Sequence, residues 1–349
     1  MPVALGSESY MCPVMQTAFG AAEVPTVTHS HLRTGEPLTP RQAQNPRVST
    51  ARIMPGADQL WTTMNLTDFQ YDFELTGNAT AWLPILRCAW GKELATAATP
   101  NVRTYTIVNP PVESGVDGTP VNTTWNHAMT IRHTFASGGV DIKTYEINDC
   151  SINEFTFGCT ANETMRMGIS GTGQGLAGAT MVAFAEPAGT PYGWSHHIAG
   201  ANSGIYSTAG AAGTTAMPVK SYKFTLNNNL RYEPFLGNVV NKELKLPTRN
   251  GYPTDMCEYE MDFDDISATD AVSIMTDYLA GTTHSVRIKA YIDASNAIEL
   301  VAASATPPAI LDSPRPSVGS EGVVSFRFQQ LLYPAVVGTD LKLVFTTAT

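Results

Sequence analysis

LTDFQYDFEL, residues 66–75, decides the fold class, because apolar and polar side chains alternate along it with the period of a β-strand. The apolar side carries Phe69, Tyr71, Phe73 and Leu75. The polar side carries Asp68, Gln70, Asp72 and Glu74. A helix is predicted directly after this strand, with Asn78 as its N-cap and Gly91 as the residue that ends it.

The same strand-and-helix pattern returns later in the chain. MCEYEMDFDD, residues 256–265, alternates again, and a helix is predicted after it that ends at Gly281. The polar side of this second strand carries Glu258, Glu260, Asp262 and Asp264. Phe69 and Phe73 lie 190 positions before Tyr259 and Phe263, and Gly91 lies 190 positions before Gly281. This constant spacing predicts an internal duplication, with two β-rich units that each carry one helix.

Changes in composition divide the chain into four segments. We expect an irregular N-terminal arm over residues 1–57, with a basic cluster at Arg41, Arg47 and Arg52. The first β unit covers 58–171 and includes a long loop at 92–125. A connecting segment rich in Gly, Ala and Thr covers 172–217, and the second unit covers 218–349.

Charge and cysteine content exclude several classes of protein. The net charge is −10 and only 15% of residues are charged, which is unlike a protein that grips nucleic acid through a basic face. No secretory signal and no apolar run of roughly 18 residues is visible, so we expect a soluble protein made in a cytoplasm. The odd number of cysteines and the lack of a CxxC pair predict buried thiols. We expect no metal and no cofactor, because the histidines have no Cys or acidic residue at a recognisable ligand spacing. The cysteines are Cys12, Cys88, Cys150, Cys159 and Cys257.

The polar sides of the two strands are the feature that points to function. They carry no Lys or Arg, which indicates a negative, non-adhesive surface. A pore for duplex DNA is one use for such a surface, because an acidic wall repels phosphates, with a screening length of about 8 Å. A merely solubilising face explains the pattern equally well. No GxSxG, GxxxxGK[ST] or HExxH motif is present, so we expect no enzyme activity.

Several stretches, taken in order, resemble the tail tube proteins of long-tailed phages, particularly siphophages. GSESYMCPVMQTAFG and HLRTGEPLTP look like the N-terminal arm of that family. DCSINEFTFGCTANETMRMGISGTG is similar to its strand–turn–strand segment. SYKFTLNNNLRYEPFLGN and EGVVSFRFQQLLYP resemble a later strand and turn and the closing strand. The resemblance implies a mainly β fold, with two β-sandwich or barrel-like units.

The resemblance also implies an assembly. Subunits of that family join into rings by side-by-side pairing of sheets, and stacked rings form a hollow tube that conducts double-stranded DNA. Six units form a ring, so a chain with two units predicts a trimer with pseudo-sixfold symmetry in preference to a hexamer. The arm arginines are then candidates for contacts between rings. The partners implied are copies of this chain, the tape measure, terminator and tip proteins, and transiently passing DNA, all in a virion.

Other interpretations remain open. The chain could be a tail terminator or another virion β-protein with the same fold. It could also be a secreted carbohydrate-binding or adhesive β-protein, although the odd cysteine count argues against secretion. A hydrolase on a β scaffold is the third alternative, for which no catalytic constellation is visible.

Overall fold

The computed structural model describes most of the chain. The described residues are 9–17, 21–26, 32–33, 39–48, 57–77, 79–96, 101–107, 128–137, 140–180, 190–197, 204–209, 217, 219–231, 248–249, 254–262, 275–302, 309–318, 324–332 and 341–347. They contain nineteen strands, so the prediction of a mainly β protein is confirmed.

The elements up to residue 209 come first in chain order. The strands are β1 (Tyr10–Met15), β2 (Leu32–Arg33), β3 (Thr39–Val48), β4 (Ala57–Glu74), β5 (Gly91–Thr96), β6 (Asn101–Ile107), β7 (Met129–Ser137), β8 (Val140–Thr160), β9 (Arg166–Gly178) and β10 (Gly204–Ala209). Helix α1 (Ala79–Trp90) lies between β4 and β5, and a 3-10 turn covers Trp194–His197.

The elements after residue 220 complete the chain. The strands are β11 (Ser221–Asn227), β12 (Leu230–Arg231), β13 (Thr248–Arg249), β14 (Thr254–Asp262), β15 (Thr283–Asp293), β16 (Asn296–Ala302), β17 (Ala309–Val318), β18 (Val324–Leu332) and β19 (Leu341–Thr347). Residues 275–280 are helical, and we call them the second helix.

Eight antiparallel strands form one continuous series in the order β3–β4–β9–β8–β11–β14–β18–β17. The first four come from residues before 179 and the last four from residues after 220. The two groups meet where residues 154–160 of β8 pair with residues 221–227 of β11. We call this pairing the internal junction. Within each group the acidic strand, β4 or β14, is the second strand in the order.

A second antiparallel series has the order β5–β6–β19–β16–β15–β10. Its buried residues and those of the eight-stranded series belong to one hydrophobic cluster. Examples from the two series are Phe69 and Phe155 on one side and Tyr105 and Phe345 on the other. Helix α1 contacts strands of both series, so it packs within this shared core.

Helix α1 forms as the sequence predicts. Its apolar residues Trp82, Ile85, Leu86 and Ala89 are buried, and Gly91 follows it with a φ of 89° that favours glycine. Glu93 of β5 is 5% exposed and accepts bonds from Arg87 of α1 and Arg103 of β6. This ion-paired group ties the helix to the β5–β6 hairpin. Asn78, the predicted N-cap, lies outside the described residues.

Three segments differ from what the sequence indicated. The N-terminal region, predicted to be an irregular arm, contributes β1, which pairs with β7, and β3, which pairs with β4. The loop predicted over 92–125 is corrected in its first part, because β5 and β6 form a hairpin there. Residues 172–178 of the predicted connecting segment complete β9, and residues 204–209 form β10. The sequence of residues 172–178 and 204–209 did not indicate strands, because glycines and small residues weaken the alternation there.

Candidate functional site

The two sides of β4 differ sharply in burial. Phe69, Tyr71 and Phe73 are 2%, 0% and 4% exposed, whereas Gln70, Asp72 and Glu74 are exposed and Asp68 is half-buried. This follows from the two-residue period of a strand with one side on the core. We call the side of the eight-stranded series that carries Gln70, Asp72 and Glu74 the polar sheet face.

Strand pairing relates both acidic strands to this face. Glu74 is opposite Arg166 of β9, which is opposite Gly158 of β8. Gly158 is opposite Lys223 of β11, and Lys223 is opposite Glu258 of β14. Directly opposed residues of antiparallel strands belong to the same face of a sheet. Glu74 and Glu258 therefore occupy one cross-strand row of a single sheet.

Two more predicted positions follow from the register of β14. Glu260 is opposite Ser221 of β11 and Arg327 of β18, and Asp262 is opposite Ser325 of β18. Because they alternate with Tyr259 and Met261 along the strand, they share the register parity of Glu258. Asp264 lies outside the described residues. The pairing thus brings seven of the eight predicted positions to one sheet.

Basic residues from neighbouring strands accompany the acidic ones. Asp72 forms an ion pair with Arg166 at 3.2 Å, with side chains 47% and 65% exposed. Lys223 and Arg327 occupy the register positions opposite Glu258 and Glu260. Exposed pairs of this kind add little stability, but they reduce the net negative charge of the face. Sequence reasoning missed them because it considered each acidic strand by itself.

Hydrogen bonds also hold the acidic side chains of β4. Thr172 Oγ1 donates to Asp68 Oδ1 at 2.8 Å, and Thr164 Oγ1 donates to Glu74 Oε1 at 3.1 Å. Between β4, β8, β9 and β11 the face has a depression of about 510 Å³. Gly158 and Gly168 are among its lining residues.

The internal junction depends on Gly158. A Cβ atom at this residue would lie 2.4 Å from the carbonyl oxygen of Tyr222 and 3.2 Å from Lys223 Cα. Real contacts of that kind are far longer, so β11 can approach β8 this closely only beside glycine. The sequence shows this glycine only as one residue of an ordinary alternating strand, TFGCT.

The arm arginines fall on or near β3. Arg41 and Arg47 occupy register positions opposite Leu66 and Gln59 of β4, and Arg52 lies outside the described residues. Strand β3 ends the eight-stranded series, and β4 is its pairing partner in the described part of the chain.

The cysteine side chains that the structure describes lie in a packed interior. Cys12, Cys88, Cys150 and Cys159 are buried thiols, and burial raises the pKa of Cys12 and of Cys159 to about 12. The side chain of Cys257 lies outside the described part of the structure. Across the described ranges, no three His, Cys, Asp or Glu side chains gather as metal ligands would. In the same ranges, no helix is long and apolar enough to cross a membrane.

Comparison with known families agrees with this arrangement. A family model described as "Phage tail tube protein" matches residues 9–335, which is most of the chain. No curated protein matches the chain.

Proposed function

The chain belongs to the phage tail tube family, which makes it a structural component of the virion, and from this premise we propose that it forms rings that stack into a tube conducting double-stranded DNA. The observation that carries the proposal is the continuous eight-stranded series. Its two ends are β3 and β17. In the described part of the chain β17 pairs with β15 only through Ala309 and Ile310, so the rest of its outer edge, like that of β3, can pair with other copies.

The internal junction supports a specific way of joining copies. Inside one chain, the fourth strand of the first group pairs with the first strand of the second group, β8 with β11. The same pairing between chains would join β17 of one copy to β3 of the next. Such a head-to-tail contact between two different surfaces closes into a ring when its rotation completes one turn.

The number of chains follows from the two groups of strands. Each group has an acidic strand in second place, after one strand and before two others, which supports an internal duplication. If a ring holds six such groups, three chains complete it with pseudo-sixfold symmetry. A trimer of 37.4 kDa chains is therefore the proposed ring.

The polar sheet face is the proposed wall of the bore. Its acidic residues repel phosphates, while the ion pair of Asp72 with Arg166 leaves the wall less negative than the acidic strands alone. A wall of mixed charge holds DNA weakly, because few counterions are released on contact. The residues proposed to face DNA are Asp68, Gln70, Asp72, Glu74, Glu258, Glu260, Asp262 and Asp264.

The ring-to-ring role of Arg41, Arg47 and Arg52 stays a prediction. The position of β3 at the end of the series favours a lateral contact within a ring for Arg41 and Arg47. Tape measure, terminator and tip proteins are the further partners that we propose for the stacked tube, and synthesis in the host cytoplasm belongs to the same proposal.

Electron microscopy and mass measurement of the purified protein test the assembly. Hollow rings or tubes with a ring mass of three chains are expected, and rings of six chains would contradict the trimer.

To test the bore, residues Glu258, Glu260, Asp262 and Asp264 are all replaced by Lys in one variant and by Gln or Asn in a matched control. We expect both variants to assemble, and the lysine variant alone to deliver DNA poorly, because a basic wall captures phosphates. Normal infectivity of the lysine variant would refute the proposed bore.

A further inference from the structure

The end of the second helix exposes apolar surface. Among the described residues, the exposed large apolar side chains are Val24, Tyr278 and Leu279, at 60%, 37% and 77%. Tyr278 and Leu279 are adjacent, and the helix ends two residues later at Gly281, which has a φ of 65°. A single exposed leucine is common in proteins. The exposure of Leu279 becomes informative when the end of the second helix is compared with the end of α1.

The corresponding end of α1 is covered. Cys88 and Ala89, 190 positions before Tyr278 and Leu279, are 8% and 1% exposed, and Trp90 is fully buried. Trp90 stacks on Phe224 of β11, with ring centroids 5.8 Å apart and planes 10° apart. Asn228, which follows β11, donates from Nδ2 to the carbonyl oxygen of Ala89 at 2.8 Å. The strand that covers the end of α1 is thus the one that arrives across the internal junction.

We propose that the end of the second helix is covered in the same way by strand β3 of the next copy. The inference rests on the proposed ring, in which β3 of one copy pairs with β17 of its neighbour. Strand β3 pairs with the acidic strand β4 just as β11 pairs with the acidic strand β14. It therefore takes, in the first group, the place that β11 takes in the second. The occupant of the exposed patch is a second copy of this chain.

The register identifies the residue of β3 that meets the helix. Asn227 of β11 is opposite Thr254, and the position 190 residues before Thr254 is Met64, which is opposite Ala43 of β3. The residue after Ala43 is Gln44, as Asn228 is the residue after Asn227. Both carry a side-chain amide. The pairing register thus makes Gln44 of the next copy the positional counterpart of Asn228, at the point where the register between β3 and β4 shifts.

Hydroxyl-radical footprinting of the unmodified protein tests this contact. Labelling of Tyr278 and Leu279 is compared in monomers, single rings and stacked tubes. Labelling of both residues is expected to fall several-fold when monomers join into rings. Rings that form with both residues labelled as in the monomer overturn the inference but leave the proposed function standing. Protection that appears only in tubes also overturns it, because the covering partner is then the next ring. If no ring forms, the proposed function and this inference both fail.

A pair of variants gives a second test. Leu279→Asp places a carboxylate in the proposed contact, and Val24→Asp makes the same change at another exposed apolar residue. We expect Leu279→Asp to weaken ring formation by at least about tenfold, because the carboxylate must lose water without a partner. Val24→Asp should assemble normally, and both monomers should keep the unfolding temperature of the parent. Equal ring formation by the two variants overturns the inference.

Discussion

His133 shows how a single buried residue ties stability to pH. It is 1% exposed, its ring stacks on Tyr71 at 5.7 Å, and neither ring nitrogen has a hydrogen-bond partner within the described part of the chain. Burial lowers the pKa of this histidine to about 4. In the unfolded chain the pKa of histidine is about 6.5. The folded state therefore binds fewer protons than the unfolded state between these two values.

The consequence is a loss of stability on acidification. The contribution of His133 is complete above the unfolded pKa, falls as the pH drops from about 6.5 to about 4, and changes no further below that. At pH 5, the free energy of unfolding should be lower than at pH 7 by about 2 kcal/mol through this residue. Urea unfolding at several pH values measures it. His133→Phe keeps the aromatic ring and removes the titration, so an unchanged pH dependence in that variant would contradict the assignment.

At the scale of elements, the internal junction between β8 and β11 is the most demanding contact. Gly158→Ala places a methyl carbon 2.4 Å from the carbonyl oxygen of Tyr222, closer than a Cβ atom can lie, so the strands must separate or bend. We expect the free energy of unfolding to fall by about 1–3 kcal/mol, as overpacking usually costs. Gly178→Ala at the end of β9 is the matched control, because a Cβ there meets nothing within 4 Å. Urea midpoints measure both, and equal midpoints for the two variants would show that the junction tolerates a side chain.

The same elements show what the sequence could predict. Strand β4 and helix α1 were predictable, because burial of one side imposes a period that the residues display locally. The second part of β9, residues 172–178, was not, because the glycines of this strand reflect contacts with other strands. A Cβ at Gly171 would lie 2.1 Å from the Ser151 carbonyl oxygen, and one at Gly173 would lie 2.6 Å from Ile147. Such close approach is set by distant residues, so the stretch looked like a connecting segment.

The candidate site divides in the same way. The acidic positions of β4 and β14 were visible in the alternation of each strand. Their basic neighbours Arg166 and Lys223 were not, because they reach the face through pairing between segments far apart in the chain. Register between distant strands cannot be read from local periodicity. The sequence therefore predicted a uniformly negative face where the pairing places charges of both signs.

At the scale of the whole molecule, the strands of the proposed contact between copies, β3 and β17, differ from those of the internal junction in their proline content. Strand β3 contains Pro40 and Pro46, and strand β17 contains Pro314 and Pro316. The stretches that form the internal junction, EFTFGCT and SYKFTLN, contain no proline. Proline has no N–H to donate, so it is tolerated in an edge strand where its nitrogen faces away from the existing neighbour. Pro40, Pro46 and Pro316 are in register with residues of β4 and β18. Because proline has no N–H, it fits these ladders only where its nitrogen faces the outer edge.

The proposed pairing of β17 with β3 of the next copy should therefore be weaker than the internal junction. Each proline whose nitrogen faces outward removes one main-chain hydrogen bond from that pairing. Rising urea should first convert rings into 37.4 kDa chains that keep their β-sheet circular dichroism, and unfold those chains only at higher concentration. Mass photometry and circular dichroism along one urea series measure the two steps. A single transition, in which rings dissociate and chains unfold together at every protein concentration, would show that the contact between copies is not weaker than the internal junction.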